Sequence, residues 1–335
     1  MARLVHFLSL PVLMGILVAA ILLCVPLVVH SPYVLDMILS VFLYAFLNNA
    51  WNILGGYCGQ ISVGHAAYFA IGAYTSTILF IHYNISPWIG MVAGALVAGV
   101  LAVLMGYPSL KLKGPYFVFA TLGFAEIVRI ILTNWEKAGA AMGLLIPLRP
   151  SSLIHLQFSS KVPYYYLMLF ICAGGFALTY LIENSKWGSY FIAIREDEDA
   201  AEALGINTAY YKTAAFVISA MLMAIGGTFY AQYVLYIHPD TTSTLMMSCN
   251  LLVMAVIGGA GTVLGPTVGA LLFVPLGEYT RALLGGRVQG LHLMIYGAAL
   301  MIVVTIAPEG VVGLLSRAKS DYRTRRKKGE QETGT

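Results

Sequence analysis

Apolar residues fill this chain in blocks of about 20, broken by short polar stretches and without the strict alternation of a barrel strand. A block of that length crosses the hydrocarbon layer as a helix, because a helix satisfies its own backbone polar groups there. Ten spans are predicted, at roughly 7–29, 33–54, 63–82, 87–106, 115–134, 163–183, 213–236, 245–262, 264–284 and 290–307. The first is too long for the core of a cleaved signal and is read as retained. The predicted fold is an all-α polytopic membrane protein with about ten transmembrane helices.

Composition agrees with the pattern. Of 335 residues, 59% are hydrophobic and 10% charged, against about a quarter charged in an ordinary soluble domain. The net charge of +4 matters less than its placement. Lys111 and Lys113 lie in one short connection, Lys186, Arg195 and Lys212 in a polar island at 185–212, and Arg317, Lys319, Arg323, Arg325, Arg326, Lys327 and Lys328 in a tail whose basic stretch 317–328 has Asp321 as the opposing acid. The positive-inside rule puts these three regions, and both termini, in the cytoplasm. Lys137, Arg149 and Lys161 in the connection 135–162 are the opposing vote. Residues 1–316 then form one membrane domain, with 317–335 a basic cytoplasmic tail attracted to anionic headgroups. No part of the chain suits a nucleic acid.

The chemistry-bearing motifs are few. No G-x-x-x-x-G-K-[ST] occurs, so a nucleotide that drove transport would sit with its magnesium on another chain, and this chain needs no cofactor. Cys24, Cys58, Cys172 and Cys249 lack metal-ligand spacing and read as small buried apolar residues. Ser62 and His65 lack an orienting partner or oxyanion site, which argues against a hydrolase.

Two glycine-rich stretches stand out. Residues 54–76 carry Gly55, Gly56, Gly59, Gly64 and Gly72 among Gln60, Ser62 and His65. They fit either close packing with a turn between spans two and three, or a broken helix lining a solute path. Residues 256–270 carry Gly259, Gly261, Gly265 and Gly269 in the corresponding part of the second half. The candidate path is therefore Gln60, Ser62, Gly64, His65, Gly259 and Gly261. A path that passes a zwitterion on is expected to bind weakly, with small apolar lining and no formal charge pair. Glu126 and Arg129 sit three apart within span five, as a local ion pair facing protein or as part of the path or a subunit contact. Glu278 and Arg281 repeat the spacing near the end of span nine, where snorkelling suffices.

In the island, Glu196, Asp197, Glu198 and Asp199 are predicted to fill the first turn of a helix over 196–204. Ala200, Ala201 and Leu204 fall on one side of it, Gly205 ends it, and Asn207 or Thr208 caps the next helix. Small side chains there admit close docking of another protein.

Four stretches, in this order, resemble the branched-chain amino acid permeases of ABC importers, most closely the LivM-like subunit. They are GYCGQISVGHAAYFAIGAYTS from Gly56, KGPYFVFATLGFAEIVRIILTNW from Lys113, AIREDEDAAEALGINTAYYKTAAFVISA from Ala193 and VMAVIGGAGTVLGPTVGA from Val253. The resemblance implies a permease subunit without ATPase activity in the inner membrane of a bacterium. Its implied partners are a homologous LivH-like permease, two ABC ATPase subunits and a periplasmic or extracellular solute-binding protein. The implied solutes are leucine, isoleucine and valine, with urea, short amides or aromatic amino acids as alternatives. The EAA---G pattern of such importers falls on Asp199, Ala200, Ala201 and Gly205, with aspartate in place of glutamate. Arg195, Glu196, Asp199, Ala200, Ala201, Leu204 and Gly205 are thereby identified as the expected ATPase-coupling residues. An ion-coupled carrier, a membrane enzyme and an assembly subunit without a path are the rival classes.

Overall fold

A computed structural model describes residues 20–29, 31–112, 114–284 and scattered positions between 294 and 313. Most of the first and tenth predicted spans, Lys113 and the basic tail lie outside the described residues. Within them the chain is helical almost throughout. The long helices are α1 (Pro32–Asn52), α2 (His65–Tyr83), α3 (Pro87–Ser109), α4 (Pro115–Asn134) and α5 (Val162–Glu183). Two short helices follow, α6 (Lys186–Glu196) and α7 (Glu198–Ala203), then the long α8 (Thr208–Val234). The short α9 (Pro239–Thr242), α10 (Leu245–Gly259) and α11 (Gly265–Leu284) complete the order.

Local chemistry sets the ends. Pro32, Pro87, Pro115, Pro163 and Pro239 stand in the first two helical positions, where a missing amide hydrogen costs nothing. Ser185, Asp197, Asn207 and Thr244 each accept a hydrogen bond from a backbone amide of the helix they precede. The choice between Asn207 and Thr208 is thus resolved: Asn207 is the cap, and Thr208 opens α8.

Six helical segments among the described residues are long and apolar enough to cross a membrane: Pro32–Tyr57, Pro87–Ser109, Pro115–Asn134, Val162–Glu183, Thr208–Val234 and Pro239–Gly259. Helices α2 and α11 coincide with predicted spans but are not among those six. Along α2 the physical reason is plain. It is buried nearly all round, so it carries His65, Tyr68, Tyr74, Ser76 and Thr77 toward protein rather than lipid.

The bundle is arranged about α1, which packs on α5, α8, α10 and α11. A second layer joins α2, α3 and α8. Gly72 makes that layer possible: a methyl group there would lie 2.0 Å from the carbonyl oxygen of Ala224 on α8. By contrast α4 buries only a narrow stripe of Phe117, Thr121, Ala125, Val128 and Leu132. The connection 135–162 holds two 3-10 turns and the strand β1 (Leu144–Leu145), which pairs antiparallel with β2 (Tyr236–Ile237) beyond α8. Two-residue strands carry no periodic signal, and the sequence does not announce this pair.

Candidate functional site

The two glycine stretches, separated by about 200 residues of chain, meet. The last turn of α1 widens into a π-helical turn at Ile53–Tyr57, and residues 58–64 leave the helix before α2 begins at His65. A methyl group on Gly56 would lie 2.4 Å from the amide nitrogen of Gly261, so backbone meets backbone there. Gly261 has φ +79, in the region that favours glycine.

Three asparagines of α1 hold the second stretch in place. Asn52 donates to the carbonyl of Thr262 at 2.9 Å and accepts from the amide of Gly261 at 2.8 Å. Asn49 donates to the Thr267 hydroxyl at 3.2 Å, and Asn48 to the carbonyl of Pro266 at 3.4 Å. Sequence reasoning passed over this set. Its signal was three polar residues, at 48, 49 and 52, in an otherwise apolar span.

Ser62 and His65 form a closed brace. The Ser219 hydroxyl donates to the carbonyl of Ala50 at 2.6 Å, which leaves its lone pair for the Nε2–H of His65 at 2.8 Å. Nδ1 then accepts from the Ser62 hydroxyl at 3.0 Å, and Ser62 accepts from the amide of Gly64 at 3.3 Å. The Trp51 indole donates to the carbonyl of Ser62 at 2.8 Å. Both side chains are wholly buried, and both ring nitrogens are taken. Gly64 packs its Cα against the carbonyl of Thr121. Of the six candidate path residues, Gln60 lines a cleft of about 360 Å³ shared with Ile61, Pro115, Phe117 and Phe119. Gly259 and Gly261 belong to the turn between α10 and α11.

The polar island folds as an elbow. Asp197, extended at φ −157, separates α6 from α7 and caps α7 by accepting from the amide of Ala200 at 3.0 Å. Glu196 ends α6, so the predicted single acidic turn is divided between two helices. Helix α7 closes with Gly205 at φ +85. The Gly205 amide bonds the carbonyl of Glu202, and the Ile206 amide that of Ala201. Ala201 is buried against its own chain, whereas Ala200 is exposed and Leu204 is 82% exposed. The alanine pair therefore does not share one outward face.

Two charged contacts fasten this elbow. Lys212 of α8 is almost wholly buried and pairs with Glu198 at 2.6 Å while donating to the carbonyl of Leu110 at 3.2 Å. Arg195 donates through Nη1 to the carbonyl of Gly56 at 3.1 Å and pairs with Glu196 at 2.7 Å. A methyl group on Gly261 would come within 2.5 Å of that same Nη1. Arg195 and the two glycine stretches, three separate features in the sequence, thus share one node.

Elsewhere, Arg129 binds Glu126 through Nε and Nη2, and Nη1 reaches Asp240 of α9 at 2.8 Å. A cavity of about 360 Å³ among α1, α8, α10 and α11 is lined by Tyr44, Tyr230, Asn250, Glu278 and Arg281 with several apolar residues. Among the described residues no cluster of His, Cys, Asp and Glu suits a metal ion.

A family model described as branched-chain amino acid transport system / permease component matches residues 33–304. The chain belongs to this family. Among its relatives the permease is 28% identical over 321 residues to the high-affinity branched-chain amino acid transport system permease protein LivM of Salmonella typhimurium, covering 88% of this chain and 73% of that one. It is 23% identical over 311 residues to a probable branched-chain amino acid transport permease protein LivM of Methanocaldococcus jannaschii, covering 84% and 90%. The autoinducer 2 import system permease protein LsrC of Klebsiella pneumoniae is 30% identical over 187 residues, covering 54% and 50%. No solved structure matches. Family and apolar helices together make the permease a multi-pass membrane protein.

Proposed function

We propose that this permease is the membrane subunit of a binding-protein-dependent importer, moving leucine, isoleucine, valine or a related amino acid into the cytoplasm. ATP, with its magnesium, is hydrolysed on two partner ATPase subunits. A homologous LivH-like permease completes the membrane pair, and a solute-binding protein delivers the solute from outside. The chain crosses a bacterial inner membrane about ten times with both termini in the cytoplasm.

The observation that carries this reading is the elbow. A partner can bias a two-state membrane bundle only through contacts that differ between the states. Helix α7 offers such a contact, with Leu204 outward and Gly205 at its end. It is not a loose loop, because Lys212 ties it to α8 and to the end of α3, and Arg195 ties α6 to the glycine node. A push on α7 therefore reaches three long elements at once.

The test is reconstitution with the ATPase subunits and a binding protein loaded with leucine. Hydrolysis stimulated by the loaded protein, together with leucine uptake, is the expected result. Uptake driven by an ion gradient without the ATPases would replace this reading with a secondary carrier.

A further inference from the structure

Helix α4 carries formal charge on a face that its own chain leaves uncovered. The helix is about 30 Å long. Glu126 lies about 16 Å from its start, and Arg129 about 8 Å from its end. Both are thus within the depth of a hydrocarbon core. Their side chains are 48% and 31% exposed, and that of Asp240, bound to Arg129, is 58% exposed. Charge facing lipid at such depth costs several kcal/mol per group, in the range of about 2.5–3.5 even on the mildest scales. This face must border protein or water.

The charge balance decides between them. Two carboxylates share one guanidinium. His238 adds no cation on this side: its Nε2 donates to the carbonyl of Ala141 at 2.8 Å, and its Nδ1 accepts from the amide of Asp240 at 3.1 Å. The cluster therefore carries one uncompensated negative charge. A dry subunit contact pays heavily for such an excess, whereas a wet wall tolerates it. The surrounding face suits an aliphatic molecule, since Phe119, Gly123, Glu126 and Ile130 follow one stripe at four, three and four residues. Phe119 and Ile130 are exposed, and nothing lies within 4 Å of a methyl group built on Gly123.

We infer that this face of α4 is a wall of the aqueous solute path, and that Glu126 and Asp240, held by Arg129, receive the ammonium group of an aliphatic zwitterionic amino acid. The remaining guanidinium hydrogens of Arg129 face the solute carboxylate. The charged lining departs from the uncharged one expected of the sequence. The inference rests on the proposed amino acid transport, but its water-access arm stands apart from it.

Gly123→Cys and, separately, Ile130→Cys are made in a chain whose four native cysteines are replaced, and assembled with its partner subunits in vesicles. A cationic, water-soluble thiosulfonate reagent is expected to label both positions, and leucine-loaded binding protein to slow the labelling. Glu126→Gln and Asp240→Asn are expected to keep that labelling and assembly while lowering leucine uptake about tenfold, the loss of one charge-assisted contact. Labelling by a lipid-soluble maleimide alone would make this a lipid face. Labelling of the isolated subunit that vanishes on assembly would make it a dry permease contact. Either outcome overturns the inference, as does unchanged uptake in both charge variants. Labelling requires neither ATP hydrolysis nor leucine transport. An importer that takes up no amino acid therefore overturns the proposed function, while the labelling still decides whether water reaches Gly123 and Ile130.

Discussion

Arg195 donates to the carbonyl oxygen of Gly56 at 3.1 Å, reaching a residue 139 positions earlier in the chain. The contact joins the last turn of α6, two residues before Asp197, to the π-helical turn that ends α1. On the proposed reading it is the most direct line from the ATPase side to the glycine node. Replacing Arg195 by Gln removes a charged donor and about 1.5–3 kcal/mol of contact. The expected outcome is leucine uptake reduced about tenfold, with membrane level and stimulated ATP hydrolysis retained. Arg195→Lys, with its point charge in place of the fork, is expected to fall between. Uptake and hydrolysis measured on the same vesicles decide it, and a parallel fall of both would reduce the contact to ordinary packing.

Ala201 of α7 and Leu204, which caps its end, have opposite environments. Leu204 is 82% exposed and Ala201 is 2% exposed. Leu204→Ser is therefore expected to leave the thermal unfolding of the isolated subunit within about 0.5 kcal/mol of the parent while weakening ATPase co-purification. Ala201→Leu overfills a packed site and is expected to lower stability by about 1–3 kcal/mol before any partner is added. If Leu204→Ser bound the ATPase as the parent does, the outward face of α7 would not be the docking face.

The closed brace of Ser62, His65 and Ser219 makes a further separation. His65→Ala deletes two buried hydrogen bonds and leaves the Ser62 hydroxyl proton without an acceptor, at an expected cost of about 2–4 kcal/mol. The measurable effect is a lower melting temperature in detergent. Transporters that do assemble are expected to show an unchanged half-saturating leucine concentration. A raised half-saturation at unchanged stability would return His65 to the solute path.

Lys212 and Glu198 supply a double-mutant test of the elbow's fastening. Lys212 is almost wholly buried and Glu198 about one quarter exposed. Lys212→Met is expected to cost about 2–4 kcal/mol, because Glu198 loses its cation and the carbonyl of Leu110 its donor. Glu198→Gln in the same chain is expected to recover part of that loss, which thermal unfolding of all four forms will measure as a coupling energy of about 0.5–3 kcal/mol.

Six of the predicted spans were legible because lipid solubility is written in the length of apolar blocks, a property each block carries by itself. The predicted limits 115–134 and 163–183 fall on α4 and α5 almost to the residue. Partners distant in sequence were not legible. Glu126 and Arg129 declare themselves at a spacing of three, but Asp240 lies 111 positions beyond Arg129 and carries no mark of belonging with them. Asn48, Asn49 and Asn52 likewise need the turn at 261–267 beside them before they mean anything. Ala200 and Ala201 are equally small, and only the fold tells the exposed one from the buried one.

Helix α8 has 27 residues and is about 40 Å long. Near its first turn Lys212 is pinned to Glu198; near its last, Tyr233 donates to Asp36, which Lys161 also binds. Both ends of this one rod are therefore tied to neighbouring elements, so a tilt of the helix moves both attachments together. On the proposed reading, arrival of the loaded binding protein at one end and closure of the ATPases at the other act on the same tilt. By the reciprocity of linked equilibria, whatever factor nucleotide adds to binding-protein affinity, the binding protein returns to nucleotide affinity.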